Sequence, residues 1–292
     1  MKGREALKEP AAWLEEIIGS FLRDPSKNTL KNRANDRAWD EPLVGFSSGA
    51  DPLWEELKKD IGSFYWTPLE IFSRTFPQLT AMADELTVVS WILPQTEETK
   101  SEHRQNSALP TENWARARIY GEEVNKEVHE HVVATLQAAG YEAVAPTLSP
   151  FWERETSDRY GLACSWSQRH AAYASGLGTF GLCDGLITPK GKAMRCGSVI
   201  ARISIPATKR PYTDHQAYCL FSSKGMCGEC IERCPAQAIS QSGHDKDRCR
   251  QYIRGVTADY VRSHFGFEGY GCGLCQTGVP CESKIPTEYD VA

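Results

Sequence analysis

The first 163 residues of this 292-residue chain contain no cysteine, and nowhere does an apolar run approach the ~20 residues that would cross a bilayer. The densest apolar stretch, Val88 to Leu93, is strand-sized and is interrupted by Ser90. Met1-Lys2-Gly3-Arg4-Glu5 leads into no hydrophobic signal core, which argues for a cytoplasmic protein with no membrane partner. Basic charge is short as well. With 33 Lys and Arg against 38 Asp and Glu, the net charge of -5 argues against a nucleic-acid partner, because phosphate binding rests on clustered cations. Internal repeats and low-complexity linkers are missing too. A hydrophobic content of 41%, with 8 Trp, 11 Tyr and 10 Phe, excludes a disordered chain.

What the chain has is 11 cysteines, unevenly placed. Eight fall between Cys219 and Cys281, and the others are Cys164, Cys183 and Cys196. A secreted disulfide scaffold is short and spreads its cysteines; a dense cluster at the end of a long chain reads as metal ligation.

The periodicities predict a layered α/β or α+β body. Pro10 to Leu22 has helical spacing, and residues 23–41 read as loop. Asp51 and Pro52 open a second helix as N-cap and first helical residue. Leu86 to Leu93 reads as a buried strand and Gln95 to Glu112 as a loop. A long helix spans Asn113 to Ala139, on which Val124, Val128, Val132 and Leu136 recur every fourth residue. Tyr141 to Ala145 is the next expected strand. Alternating helices and buried strands give the layered class. The change of character near Pro206 to Pro211 sets the expected boundary, with a body at residues 1–210 and a cysteine-rich unit at 211–292.

Cys227-Gly228-Glu229-Cys230-Ile231-Glu232-Arg233-Cys234-Pro235 is most of the bacterial ferredoxin run. Its first cysteine is displaced, since position 224 is Lys and Cys219 lies upstream. Cys249, Cys272, Cys275 and Cys281 form a second set. Eight thiolates suffice for two [4Fe-4S] clusters, and the cysteine before proline crosses to the other cluster in such pairs. The expected sets are therefore Cys219, Cys227, Cys230 and Cys281, then Cys234, Cys249, Cys272 and Cys275. Zinc is the competing reading; the Cys-Pro signature and the following Ala236-Gln237-Ala238-Ile239 speak for iron and sulfur.

Gly176-Leu177-Gly178-Thr179-Phe180-Gly181 matches G-x-G-x-x-G, but the context is reversed. The glycines end a helix candidate, Ser165 to Ala174, instead of following a strand, and no Asp or Glu occurs from Gly185 to Thr213. A dinucleotide fingerprint needs both. Lys190, Lys192, Arg195, Arg202, Lys209 and Arg210 populate that acid-free stretch. They suit an anionic cofactor tail or acidic substrate, or simply a solvated hairpin.

Ser165 to Gly181, then Leu186-Ile187-Thr188 and the two cysteine sets, resemble the core of epoxyqueuosine reductase, which is shared with the corrinoid-dependent reductive dehalogenases. The resemblance runs from about Asn113 to Cys281. It implies a nitroreductase-like α/β domain holding base-off cobalamin, followed by a small ferredoxin-like domain with two [4Fe-4S] clusters. Electrons would pass through the clusters to a corrinoid that reduces the substrate. Three departures qualify it. The tRNA-gripping helical repeats of epoxyqueuosine reductases are not matched, which with the net charge points to a small-molecule substrate. The family's acidic proton donor falls on Leu162, and Gln168 stands for the neighbouring Glu. The export signal and longer N-terminal region of the dehalogenases are unmatched. A low-potential donor, ferredoxin or flavodoxin, would supply the electrons.

On a helix from Ser167, Arg169, His170 and Tyr173 share a face, with Tyr173 as proton donor and Arg169 or His170 in support. Core packing of Tyr173 and surface pairing of Arg169 is the competing reading. Gly176, Gly178 and Gly181, with Leu177, Thr179, Phe180, Ile187 and Thr188, are the expected cofactor wall, where missing Cβ atoms would admit a large flat ligand. A helix C-cap and tight turn would explain the glycines equally. Cys164, Cys183 and Cys196 read as small buried apolar side chains, with a thiol near the cofactor as the alternative. His129 and His131 read as helix-surface residues, and Trp13, Trp54, Trp66 and Trp91 as core. Two other functions stay open: an iron-sulfur flavoprotein using FMN, and a non-enzymatic electron carrier or activase.

Overall fold

The computed structural model describes residues 9–291, so the reading of Met1 to Glu5 lies outside the described residues. Pro10 opens α1 (Pro10–Arg23), where its missing N–H leaves no bond unmade, and Leu14, Ile18 and Leu22 are buried along one side. After an irregular stretch comes β1 (Leu43–Ser48), which the sequence did not signal. In α2 (Leu53–Ile61), Asp51 Oδ1 accepts from the Leu53 N–H at 3.0 Å and Pro52, not Asp51, holds the N-cap position. Thr67 and Glu70 close a capping box on α3 (Pro68–Thr75).

Next come β2 (Thr87–Pro94), α4 (Glu97–Arg104), α5 (Glu112–Ala138) and β3 (Ala143–Val144). A hairpin of β4 (Arg154–Ser157) and β5 (Gly161–Cys164) precedes α6 (Gln168–Ala174). β6 (Thr179–Phe180) pairs with β7 (Leu186–Ile187), and β8 (Met194–Ala201) follows. The cysteine-rich part has α7 (Leu220–Lys224), α8 (Glu229–Glu232), the short pair β9 (Ile239–Ser240) and β10 (Gly243–His244), α9 (Lys246–Tyr252) and α10 (Ala258–Phe265). A π-helical turn, Ile253–Thr257, joins the last two helices.

The main sheet has the order β1-β2-β8-β3, and every pairing is antiparallel. The chain is therefore α+β. β2 is buried at all eight positions because helices cover both faces of the sheet. Its period-two pattern sorts the side chains: Val89, Trp91 and Leu93 join α1 and α5 in one core, while Val88 joins Trp54, Phe72 and Trp166 in a second. Each fully buried side chain of this kind contributes about 1.5–3 kcal/mol. Trp54 and Trp166 stack at 5.2 Å, and Trp91 packs over Gly197 on the neighbouring strand. Trp54, Trp66 and Trp91 are core, as expected; Trp13 is partly buried against it.

Two expectations fail here for identifiable reasons. α4 lies where a loop was read, because its residues are nearly all polar and its apolar partners are few. Thr96 caps it, and it exists to hold something else. His103 Nε2 donates to the Cys272 carbonyl at 2.7 Å, Arg104 grips both carboxylate oxygens of Glu282, and Lys100 Nζ donates to Ser283 at 2.8 Å. The cysteine-bearing segment is thus docked on the body. His129, read as a surface residue, is 2% exposed beneath the sheet. It was misread because polar neighbours in sequence hid its inward-facing position. No helix among the described residues is long and apolar enough to cross a membrane.

Candidate functional site

α6 has two faces with different work. On the inner face Gln168 Nε2 donates to Thr147 Oγ1 at 2.8 Å and lies 2.9 Å from His129 Nε2, while its Oε1 accepts from Ser198 Oγ. His129 Nδ1 donates to the Asn125 carbonyl at 2.6 Å, and its Nε2 accepts from the Ser198 N–H at 3.2 Å. Trp166 Nε1 donates to Ser198 Oγ at 3.0 Å. Burial holds His129 neutral, with its pKa down to about 4. Gln168 therefore braces the helix from inside and does not face open space.

The outer face carries Arg169, His170 and Tyr173, and all three line a cavity of about 640 Å³. Leu53 and Leu57 of α2, Tyr65, the β4–β5 hairpin, Phe180 and Asp184 complete its wall. This size lies within the range of small-molecule and cofactor sites. His170 Nδ1 and Tyr65 Oη are buried against this space with no hydrogen-bond partner among the described residues. Burial, then the nearby Arg169 and Lys246 charges, push His170 down to about 3, so its ring is neutral. Burial pushes the Tyr173 phenol up, which keeps its proton on at neutral pH. Tyr160, on the hairpin, donates to Asp60 Oδ2 at 2.6 Å, and burial together with that carboxylate raises it to about 12.

A second cavity, of about 380 Å³, shares Arg154, Leu162, Arg169, Asp184 and Lys246 with the first. Cys249 and Cys272 stand on its far side. Leu162, the position of the family's proton donor, thus does face both spaces, but as an apolar side chain. Arg118, Arg154, Arg169, Arg195, Arg250 and Arg254 also line the smaller cavity. A net charge of -5 conceals this concentration, which among the described residues lining the smaller cavity only Asp184 offsets.

Most of the glycine loop is not on either cavity. Of Gly176, Leu177, Gly178, Thr179, Phe180, Gly181, Ile187 and Thr188, only Phe180 lines the larger one. The glycines admit protein backbone instead of a ligand. A Cβ at Gly178 would lie 2.3 Å from the Ile187 carbonyl oxygen, and one at Gly176, where φ is +78°, would lie 2.8 Å from that of Lys209. Gly176 ends α6 through its N–H to the Tyr173 carbonyl, so the C-cap alternative describes it. Thr188 Oγ1 donates to the Gly191 carbonyl within the turn.

The thiols gather in two places. Cys219, Cys230 and Cys281 pack with Ile187, Ile239 and Val279, while Cys234 and Cys275 lie at the edge of this group. Cys272 shares its surroundings with Cys249 and Cys234, and burial first, then those neighbours, push it up to about 11. Cys227, at φ +78°, stands outside the packed group. Cys275 touches Cys183 and also faces Cys272, and so lies between the two gatherings. Among the described residues no group of three His, Cys, Asp or Glu is poised around a single metal ion.

The extra cysteines divide. Cys196 is an inert buried thiol, raised to about 12 by desolvation and set against the Met194 sulfur. Cys164 lines the larger cavity. Cys183 is no apolar filler: hydrogen bonds with Cys230 and Cys275, and the Lys192 ammonium 3.4 Å away, pull its thiol well below the usual range. Its distance in sequence from the ferredoxin motif hid that role. Asp184 beside it receives His244 at 3.1 Å; although burial opposes it, this pairing with the Cys249 contact raises His244 to about 10.

No family model matches the chain. It is 31% identical over 119 residues to the epoxyqueuosine reductase of Bacillus cereus, covering 39% of this chain and 29% of that protein. To the enzyme of Staphylococcus aureus it is 30% identical over 129 residues, 42% of this chain and 32% of that one. The chain therefore spans about a third of the length of these relatives. Among solved structures, the catabolic reductive dehalogenase NpRdhA aligns with 95% of this chain and 37% of its own, at 14% identity and a TM-score of 0.49. An epoxyqueuosine reductase solved with a tRNA-Tyr stem loop aligns with 94% and 68%, at 16% identity and a TM-score of 0.46. The tRNA stem loop in that complex overturns the expectation that nucleic acid is not a partner. The curated matches of this chain are epoxyqueuosine reductases, oxidoreductases of the family that its α6 segment and cysteine sets resemble.

Proposed function

We propose that the chain is an iron-sulfur, cobalamin-dependent reductase built from a nitroreductase-like body, residues 1–210, and a two-cluster ferredoxin-like unit, residues 211–292. The observation that carries this reading is the shared wall: Arg169, Asp184 and Lys246 separate the larger cavity from a smaller one reached by Cys249 and Cys272. Cysteines at ferredoxin spacing on one side of a roomy cavity suit electron delivery to whatever the cavity holds.

The donor chemistry fits the clusters, since Cys219, Cys227, Cys230 and Cys281, then Cys234, Cys249, Cys272 and Cys275, offer four thiolates each. The larger cavity suits a corrinoid, because apolar Leu53, Leu57, Trp152 and Phe180 face it beside the orphaned His170 Nδ1 and Tyr65 Oη, which an amide-fringed ring could satisfy. When bound, cobalamin supplies a strongly reducing centre. The protein's own work is then limited. Tyr173 holds a proton at its hydroxyl, His170 offers a neutral ring, and Arg169 keeps a cation on the shared wall through its bond to the Asp184 carbonyl. The reduced substrate's proton comes from Tyr173.

Anaerobic reconstitution followed by elemental analysis and visible spectroscopy tests the reading. About eight irons and one cobalt per chain are expected for two clusters and one corrinoid. FMN without cobalt would replace it with a flavoprotein, and iron alone with an electron carrier.

A further inference from the structure

Lys192 follows the turn after β7 and is 2% exposed. Its Nζ donates to Cys183 Sγ at 3.4 Å, and its backbone N–H donates to the Cys281 carbonyl at 2.8 Å. The groups facing the ammonium are the thiols of Cys183, Cys281, Cys230 and Cys275. Among the described residues no carboxylate pairs with it: Asp184, the nearest in sequence, is engaged by His244, and Glu282, next to Cys281, by Arg104 and the Gly278 N–H. A buried ammonium costs several kcal/mol unless an anion offsets it. Thiols alone are poor partners for such a charge. Thiolates bound to an iron-sulfur cubane are good ones, because the assembly carries two negative charges when oxidised and three after it accepts one electron.

We propose that Lys192 is the fixed counter-charge of the iron-sulfur centre bounded by Cys230 and Cys281, and that it raises the reduction potential of that centre. The inference rests on the reading that these thiols hold a cluster. One electron enters from the external donor; no bond forms or breaks and no proton moves. The ammonium stabilises the reduced cluster more than the oxidised one, because attraction grows with the charge it faces. The body thereby tunes a centre whose ligands come from the other end of the chain.

An EPR-monitored titration with dithionite and mediators, on the full chain reconstituted anaerobically, tests this. K192Q should favour the oxidised cluster about tenfold more than the native protein, a fall of about 59 mV for one electron. K192R should restore most of the native potential. K190Q, on the exposed side of the same turn, should change nothing. K192Q that carries its full iron and titrates with the native potential overturns the proposal. Native protein that takes up no iron would instead sink the iron-sulfur reading itself. A second measurement needs no variant to fold: in native protein labelled with lysine carrying 15N at Nζ alone and reduced, pulsed EPR should show coupling to one lysine nitrogen. Absence of that coupling overturns the proposal as well.

Discussion

Two buried polar clusters in this molecule are built on opposite principles. Around His129, each donor has a protein acceptor: Asn125, Gln168, Ser198, Thr147 and Trp166 close a network within the body. Around Lys192, a full charge meets sulfur and, among the described residues, no carboxylate. A closed network needs nothing further and specifies a structure. An open one, with charge left over, marks a place where something else belongs.

The comparison can be broken most forcefully at the thiols. Replacing Cys230 with Ser should remove one cluster, lowering iron from about eight to about four per chain. The same change in the closed network's neighbour, Cys196→Ser, should leave iron untouched; equal iron loss in both would erase the distinction.

Acid should act next. His103 and His129 are held near pKa 4 and His170 near 3, all by burial, against 6.5 when exposed. Unfolding therefore binds protons below about pH 6.5, so stability is full above that value and falls as pH drops towards 4, by about 3 kcal/mol for each histidine. Urea midpoints measured between pH 7 and pH 4 should decline steadily. A flat profile would mean the rings are not buried.

His129→Leu should cost about 1–3 kcal/mol at neutral pH, because the Ser198 N–H and the Asn125 carbonyl lose their partner inside the core. Tyr173→Phe should be the mildest for the fold, since no hydrogen bond of its hydroxyl is lost among the described residues. Its effect should appear in turnover alone, a fall of about 10²-fold or more in single-turnover reduction. Unchanged turnover would remove Tyr173 from proton delivery.

Much of the frame was legible in the sequence because periodicity reports burial directly. α5 came within a residue of its expected bounds, and the buried strand at β2 likewise. Arg169, His170 and Tyr173 were expected on one face from spacing alone and do line one cavity. Illegible features depended on partners far away in the chain. α4 has too few apolar residues to announce itself, and Cys183 and Lys192 take their meaning from Cys230 and Cys281. The glycine loop misled for the opposite reason: a pattern that admits close approach does not say what approaches, and here it is the backbone at Ile187 and Lys209.

α4 holds the chain around Cys272 and Ser283 through His103, Arg104 and Lys100, across 169 to 183 residues of sequence. Closing loops of such span costs more chain entropy than making local contacts does. A polar clasp therefore fastens the cysteine-bearing segment to the body, and the two cannot part without giving up contacts that reach across more than half the chain.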